Sequence, residues 1–153
     1  MVDVHIVETC DVPAATAFDY VEDYRNTIKF LHGLTKYEAV GAQDRGLGAV
    51  YEGTMKLGPL SLTSRVQVVE WERDTLLASR SISGIDSSFQ YRFTPVDAQR
   101  CQVDLTIRFA VPGGLAGKAA DRAAAPFVRA AAQRTANNLV TQLVTFHNAR
   151  TDR

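Results

Sequence analysis

Tyr51, Arg80 and Tyr91 are the polar residues whose types and positions in this sequence suit a bound molecule. Tyr51 and Tyr91 each lie on the more apolar side of a segment with strand-like alternation, which would point both phenols toward a core. Arg80 belongs to the more apolar alternating set of "TLLASRSISG". An arginine buried without a partner costs several kcal/mol, so an inward Arg80 needs an anionic partner or a ligand carboxylate, carbonyl or phosphate. Together they predict a site that orients the polar end of a small molecule.

Strand register decides which way Arg80 points. A bulge or a slip of one residue in this strand reverses every side chain in it, because successive residues of a strand face opposite sides. The sequence leaves both orientations of Arg80 open, one toward a cavity and one toward solvent on the convex side of the sheet.

Motifs for metal, nucleophilic or phosphate chemistry are absent from the sequence. The histidines are isolated from one another, at His5, His32 and His147, and no HExxH or GxSxG motif occurs. The GxxxxG spacing in "GAQDRGLG" lacks the Lys-Ser/Thr pair of a phosphate loop and falls between two strands, which favours a hairpin turn. We therefore expect no metal and no cofactor, with Cys10 and Cys101 as buried thiols.

The composition predicts a single domain over residues 1–153. Lys+Arg and Asp+Glu both count 17, and the resulting net charge of zero disfavours a nucleic-acid partner. The opening "MVDVHIVETC" lacks the pattern of a secretory signal, and no apolar run approaches the ~18 residues of a membrane span. We expect a cytoplasmic protein with no integral membrane segment, whose oligomeric state stays open.

The periodicity predicts one strand, two short helices, six strands and a long helix, in that order. "VDVHIVET" alternates as a strand, and Pro13 and Asp23 suit the starts of the two short helices. Six strands follow near residues 34–41, 46–57, 60–72, 75–84, 87–95 and 100–111. The turns between them are short, so neighbouring strands should pair antiparallel as a meander.

The last helix, from about Leu115 to His147, has an unusual apolar stripe. The stripe is large at both ends, with Phe127 at one end and Leu139 to Phe146 at the other, and small in the middle at Ala131, Ala132, Thr135 and Ala136. Pro126 lies inside the helical pattern, where it removes a backbone hydrogen bond, so we expect a kink or a short break there.

This order of elements resembles the helix-grip fold of the SRPBCC, or START-like, superfamily, and in particular its polyketide cyclase/dehydrase and lipid-transport branch. The resemblance covers essentially the whole chain. Three stretches carry it: "VPAATAFDYVEDYRNTIKFLHGL", "VVEWERDTLLA" and "VPGGLAGKAADR". It implies an α+β fold in which a seven-stranded antiparallel sheet wraps around the long C-terminal helix, with two short helices between strands 1 and 2.

The resemblance also implies a cavity of a few hundred Å³ between sheet and helix, of the usual scale for a small-molecule site. The small residues in the middle of the helix would form the roof of this cavity. The alternative is that they let the helix approach the sheet closely, while aromatic side chains fill the gap. The predicted ligand-binding residues are Tyr51, Met55, Arg80, Phe89, Tyr91, Phe127, Ala131, Thr135 and Leu139.

Three functions remain open at this point. The first is binding of a hydrophobic or amphipathic small molecule, lipid-like or polyketide-like. The second is a polyketide cyclase/dehydratase-type enzyme with Tyr51, Tyr91 or His32 as proton donor, since no Asp or Glu is clearly inward. The third is a protein-interaction module. The helix-grip topology further pairs the first strand with the last, which would bring Cys10 close to Cys101.

Overall fold

The computed structural model describes residues 1–110 and 117–151. The predicted end of the last strand and the predicted first helical turn from Leu115 fall on residues 111–116, outside the described residues. The side chain of Leu57, which alternation places with Tyr51 on the inner face, also lies outside them.

Seven strands form one antiparallel sheet, as the sequence predicts. The spatial order is β1-β7-β6-β5-β4-β3-β2, so β2 to β7 form the meander and β1 pairs with β7. The strands are β1 Val2–Cys10, β2 Leu34–Val40, β3 Val50–Leu57, β4 Leu60–Glu72, β5 Leu76–Ser83, β6 Ser87–Asp97 and β7 Arg100–Phe109. The largest boundary difference is at β3, which begins four residues later than the pattern near residue 46 suggests. With its three helices this sheet confirms the helix-grip α+β fold.

Alternation sets the inner face of the sheet, on which the helices pack. In β7, Val103, Leu105 and Ile107 are buried there, whereas Arg108 on the outer face is exposed. One bulge matters for the site: β4 shifts register between Val68 and Glu70. The extra residue brings both Val68 and Trp71 to the inner face, opposite Ser79 and Leu77 of β5.

Two short helices follow β1. Helix α1 (Ala14–Glu22) begins directly after Pro13 and buries Ala14, Ala17, Phe18 and Val21 at helical spacing. A 3-10 turn (Tyr24–Asn26) leads into α2 (Thr27–Phe30), and the side chain of Asp23 caps this turn by accepting from the Arg25 backbone N–H. Gly33 ends the segment at φ +90°, the left-handed conformation that glycine adopts without strain.

Helix α3 (Gly117–Thr151) packs against β1, α1 and α2. It continues through Pro126, so the helix is not broken there, and the alternative of a kink stays a prediction. Its stripe of small residues, including Ala132 and Ala136, is buried in the main hydrophobic core beside Leu139 and Leu143. Among the described residues, no helix is long and apolar enough to cross a membrane.

Cys10 and Cys101 lie directly opposite each other where β1 pairs with β7, which confirms their predicted proximity. Both are buried free thiols. Burial raises the pKa of each thiol to about 11, so the reactive thiolate is scarce at neutral pH.

Candidate functional site

A pocket of about 90 Å³ opens on the inner face of the sheet, away from α3. Its walls come from α1, the 3-10 turn, α2, the connection between β2 and β3, and the strands from β2 to β7. The lining is mostly apolar. The side chains that matter below are Glu22, Tyr37, Tyr51, Met55, Ser79, Phe89 and Tyr91.

Four of the predicted ligand-binding residues line this pocket: Tyr51, Met55, Phe89 and Tyr91. They come from β3 and β6, two strands whose alternation is regular enough to read from the sequence. Their roles in binding stay predictions, but their common location does not depend on any assumption about the ligand.

Tyr51 shapes the wall with its ring and does not offer its hydroxyl. The hydroxyl donates to the backbone carbonyl of Asp44 at 2.7 Å, which ties the β2–β3 connection to the sheet. The ring stacks on Tyr24 with centroids 5.3 Å apart and contacts Tyr37 at 5.2 Å. Burial, followed by the charge of Asp44, raises the pKa of Tyr51 to about 12.

Tyr37 and Tyr91 each bring a hydroxyl without a protein partner to the pocket. Among the described residues neither phenol has a hydrogen-bond partner, although the Tyr91 residue is buried. Burial raises the pKa of both, and for Tyr37 the neighbouring Tyr91 adds to the effect. Both therefore stay protonated near neutral pH, and each can donate one hydrogen bond to a ligand.

Glu22 is a pocket residue that the sequence analysis missed, since no acidic side chain was expected to face inward. It ends α1, lines the pocket and is only 8% exposed. Its Oε1 accepts a hydrogen bond from Trp71 Nε1 at 3.0 Å. A signal was available: Glu22 lies four residues after Phe18, on the helix face that the buried stripe defines.

Arg80 points away from the pocket, so the inward orientation is wrong. Arg80 is exposed, and the pocket is lined instead by Leu77 and Ser79 of the same strand. The more apolar set, Leu76 and Ala78, is buried on the outer face. There Leu76 pairs with Glu72 and Arg92, and the aliphatic stems of such charged side chains can cover apolar surface. Apolarity therefore did not identify the inner face of β5.

The predicted helix residues do not line the pocket. Phe127 is 77% exposed, so it does not form the buried large end of the helix stripe. Thr135 is buried, but its hydroxyl is occupied: it accepts from the His32 backbone N–H at 3.0 Å and donates to the Ala131 carbonyl at 2.9 Å. Leu139 faces only a gap of about 10 Å³ between α3 and the sheet, room for about one water. Of the residues predicted to roof a cavity, Ala132, Thr135 and Ala136 are buried in a filled core and Ala131 is half-buried beside it.

The pocket is smaller than the few hundred Å³ expected. Because one water needs about 10–15 Å³ of such space, 90 Å³ holds roughly six to nine waters. That room suits a small ring or one end of a larger molecule. No group of three or more metal-ligating side chains occurs among the residues that the structure describes.

A family model described as polyketide cyclase / dehydrase and lipid transport matches residues 1–144. The chain belongs to this family. No curated protein is a significant match to it. The assignment to this family thus rests on the sequence pattern of nearly the whole chain, together with the helix-grip fold. Membership of the family specifies neither a ligand nor a reaction.

Solved structures with the same fold are distant in sequence. TTHA0849 from Thermus thermophilus has a TM-score of 0.79 at 12% identity, with 94% of this chain and 97% of that chain covered. The Zhui aromatase/cyclase from Streptomyces sp. R1128 has a TM-score of 0.72 at 17% identity, with 92% of each chain covered. A conserved protein from Geobacillus kaustophilus scores 0.74 at 11% identity, with 95% and 97% covered. At such identities the likeness shows the fold alone.

Proposed function

We propose that this family member binds a small, largely apolar molecule, or the apolar end of a lipid-like or polyketide-like one, in the pocket beneath the short helices. The observation that carries the proposal is a mostly apolar pocket with two phenol hydroxyls, on Tyr37 and Tyr91, that have no partner in the described structure. Because these hydroxyls lie in a mostly apolar pocket with no protein partner among the described residues, a ligand that accepts or donates hydrogen bonds there would be favoured.

The pocket size sets the scale of the ligand. About 90 Å³ suits a ring with a short substituent, and 2-phenylethanol is a suitable neutral probe. Ligand-observed NMR on the purified protein should show its binding. A Ser79→Leu variant, which fills the pocket from the wall, should lose that binding; Ser88→Leu, whose residue pairs with the outward Arg80, is the matched control.

The natural ligand is sought by mass spectrometry of organic extracts from freshly denatured protein. We expect a small lipophile at near-equal molar amount in the wild type and its loss in Ser79→Leu protein from the same host. Identical extracts from the two proteins, together with no binding of 2-phenylethanol, would contradict a ligand pocket at this place.

A second candidate is cyclase/dehydratase-type catalysis, which the likeness to the Zhui aromatase/cyclase supports. The pocket groups suited to donating a proton are the phenols, with Tyr37 and Tyr91 free of protein partners within the described chain, while Arg80 is excluded by its position. A protonated Tyr91 could act as an acid toward a bound carbonyl, a contribution typically worth about 100-fold or more in rate. Product formation from a poly-β-ketone thioester analogue, measured by liquid chromatography and mass spectrometry with wild type and Tyr91→Phe, tests it.

A further inference from the structure

Glu22 places a carboxylate inside the pocket. It is the last residue of α1, one turn after the fully buried Phe18, so the amphipathic face of the helix carries it inward. With 8% of its surface exposed, it has lost nearly all contact with bulk water. A carboxylate in such a position must be compensated by hydrogen bonds or by a positive charge.

The protein compensates this carboxylate only in part. Trp71 donates its indole N–H to Oε1 at 3.0 Å, and the bulge in β4 brings Trp71 to the inner face for this contact. Trp71 is neutral and supplies a single donor, whereas a carboxylate offers about four acceptor sites. Among residues 1–110 and 117–151, no cation forms an ion pair with Glu22.

The cations on neighbouring segments are engaged elsewhere. Arg25 and Arg45 both lie near Asp23, with N–O distances of 2.8 Å and 3.9 Å. The described lining residues include no lysine, arginine or histidine; besides Glu22 their polar side chains are hydroxyls and phenols. The described part of the pocket lining therefore presents one negative charge and no positive one.

We infer that the pocket selects ligands whose polar end donates hydrogen bonds, a protonated amine above all, and that Glu22 recognises this end. The inference rests on the proposed function and specifies its ligand class. A protonated amine would fill the vacant acceptor sites with charge-assisted hydrogen bonds, which are about twice as strong as neutral ones. A ligand carboxylate would meet like charge in a desolvated site and be rejected.

Three probes of nearly equal shape separate these outcomes: phenethylamine, 2-phenylethanol and phenylacetate. Titration calorimetry at neutral pH should rank the amine at least about tenfold tighter than the alcohol, with the acid weakest. In Glu22→Gln the amide oxygen can still accept from Trp71, so the fold and the alcohol affinity should persist while the preference for the amine is lost. Glu52→Gln removes a β3 carboxylate that pairs with Arg65 at 3.0 Å and should leave the ranking unchanged.

The outcomes also separate the inference from the proposed function. If 2-phenylethanol binds as tightly as phenethylamine, Glu22 does not recognise the ligand. The same follows if Glu22→Gln still binds the amine more tightly than the alcohol. In both cases the pocket remains a ligand pocket. Binding of none of the three probes overturns both the inference and the proposed function. Should Glu22→Gln fail to fold, the wild-type ranking alone decides, because tighter binding of phenylacetate than of phenethylamine contradicts an anionic pocket.

Discussion

The inner face of the sheet has two halves, and small side chains have opposite effects in them. Under α3, Ala132 and Ala136 pack in the core with Leu139 and leave a gap of only about 10 Å³. Beneath the short helices, Gly53 and Ser79 line a pocket of about 90 Å³. We call these the filled half and the hollow half.

The contrast teaches what a small residue does in a core. On a helix that is free to move toward a sheet, small side chains draw the backbones together, since close packing gains dispersion contacts. On strands, the hydrogen-bond ladder fixes the spacing of the backbones, so the space beside a small strand residue stays empty unless a neighbouring side chain fills it. Small strand residues there leave space, and the ring of Tyr37 takes part of it: a Cβ at Gly53 would meet Tyr37 at 3.0 Å.

The filled half can be broken by overpacking. Ala132 is 2% exposed, so Ala132→Phe should lower the free energy of unfolding by about 3 kcal/mol or more. Urea unfolding measures the change. Ala130→Phe, on the exposed face of the same helix, is the matched control and should stay within about 0.5 kcal/mol of wild type. A stable Ala132→Phe protein that has lost 2-phenylethanol binding would instead extend the pocket to α3.

The hollow half should respond to filling in the opposite way. Ser79→Leu places apolar atoms in empty space and is expected to raise the free energy of unfolding by about 1 kcal/mol. The same change should weaken 2-phenylethanol binding about tenfold or more. Urea unfolding and NMR titration give the two readouts. A loss of stability of several kcal/mol would mean that this wall is already closely packed.

The rim of the hollow half should be sensitive to acid. The hydrogen bond from the Arg25 side chain is the main cause that lowers the pKa of Asp23 below its ordinary 3.8. A depressed folded-state pKa means that Asp23 contributes stability above about pH 4 and that this contribution is lost as pH falls through the folded value. Asn keeps an oxygen that can cap the turn, so Asp23→Asn should cost only about 0.5 kcal/mol at pH 7, mainly through the lost charge pairing with Arg25, and less near pH 3.

Unfolding by urea at both pH values measures this difference. Asp86→Asn serves as control, because the Asp86 side chain has no hydrogen bond or ion pair within the described chain. An Asp23→Asn penalty that grows toward low pH would contradict a depressed pKa for Asp23 in the folded protein.

The smallest effect is expected at Arg80. Because Arg80 is exposed on the outer face, Arg80→Met should change the free energy of unfolding by less than about 0.5 kcal/mol and leave probe binding unaltered. Titration with 2-phenylethanol and phenylacetate checks this. Selective loss of phenylacetate binding would instead indicate that Arg80 contacts the ligand.

The pocket residues show which parts of the site the sequence could predict. Tyr51, Met55, Phe89 and Tyr91 were found because their strands alternate cleanly, and alternation is a local property. Arg80 was misplaced because β5 buries apolar residues on both faces. The helix period places Glu22 on the buried face, but its partner Trp71 is 49 residues away and comes to the inner face through a bulge, which no local pattern indicates.

The sequence by itself determined the order of elements and the antiparallel meander. Both follow from periods of two and 3.6 residues and from turn residues, which act over a few positions. Through the resemblance the sequence also determined the family and the proximity of Cys10 to Cys101. Only the tertiary structure decided where the empty space lies and which charge faces it. Empty space is the difference between backbone separation and side-chain volume, and the separation is set by how α3 and the short helices dock on the sheet, not by any one segment.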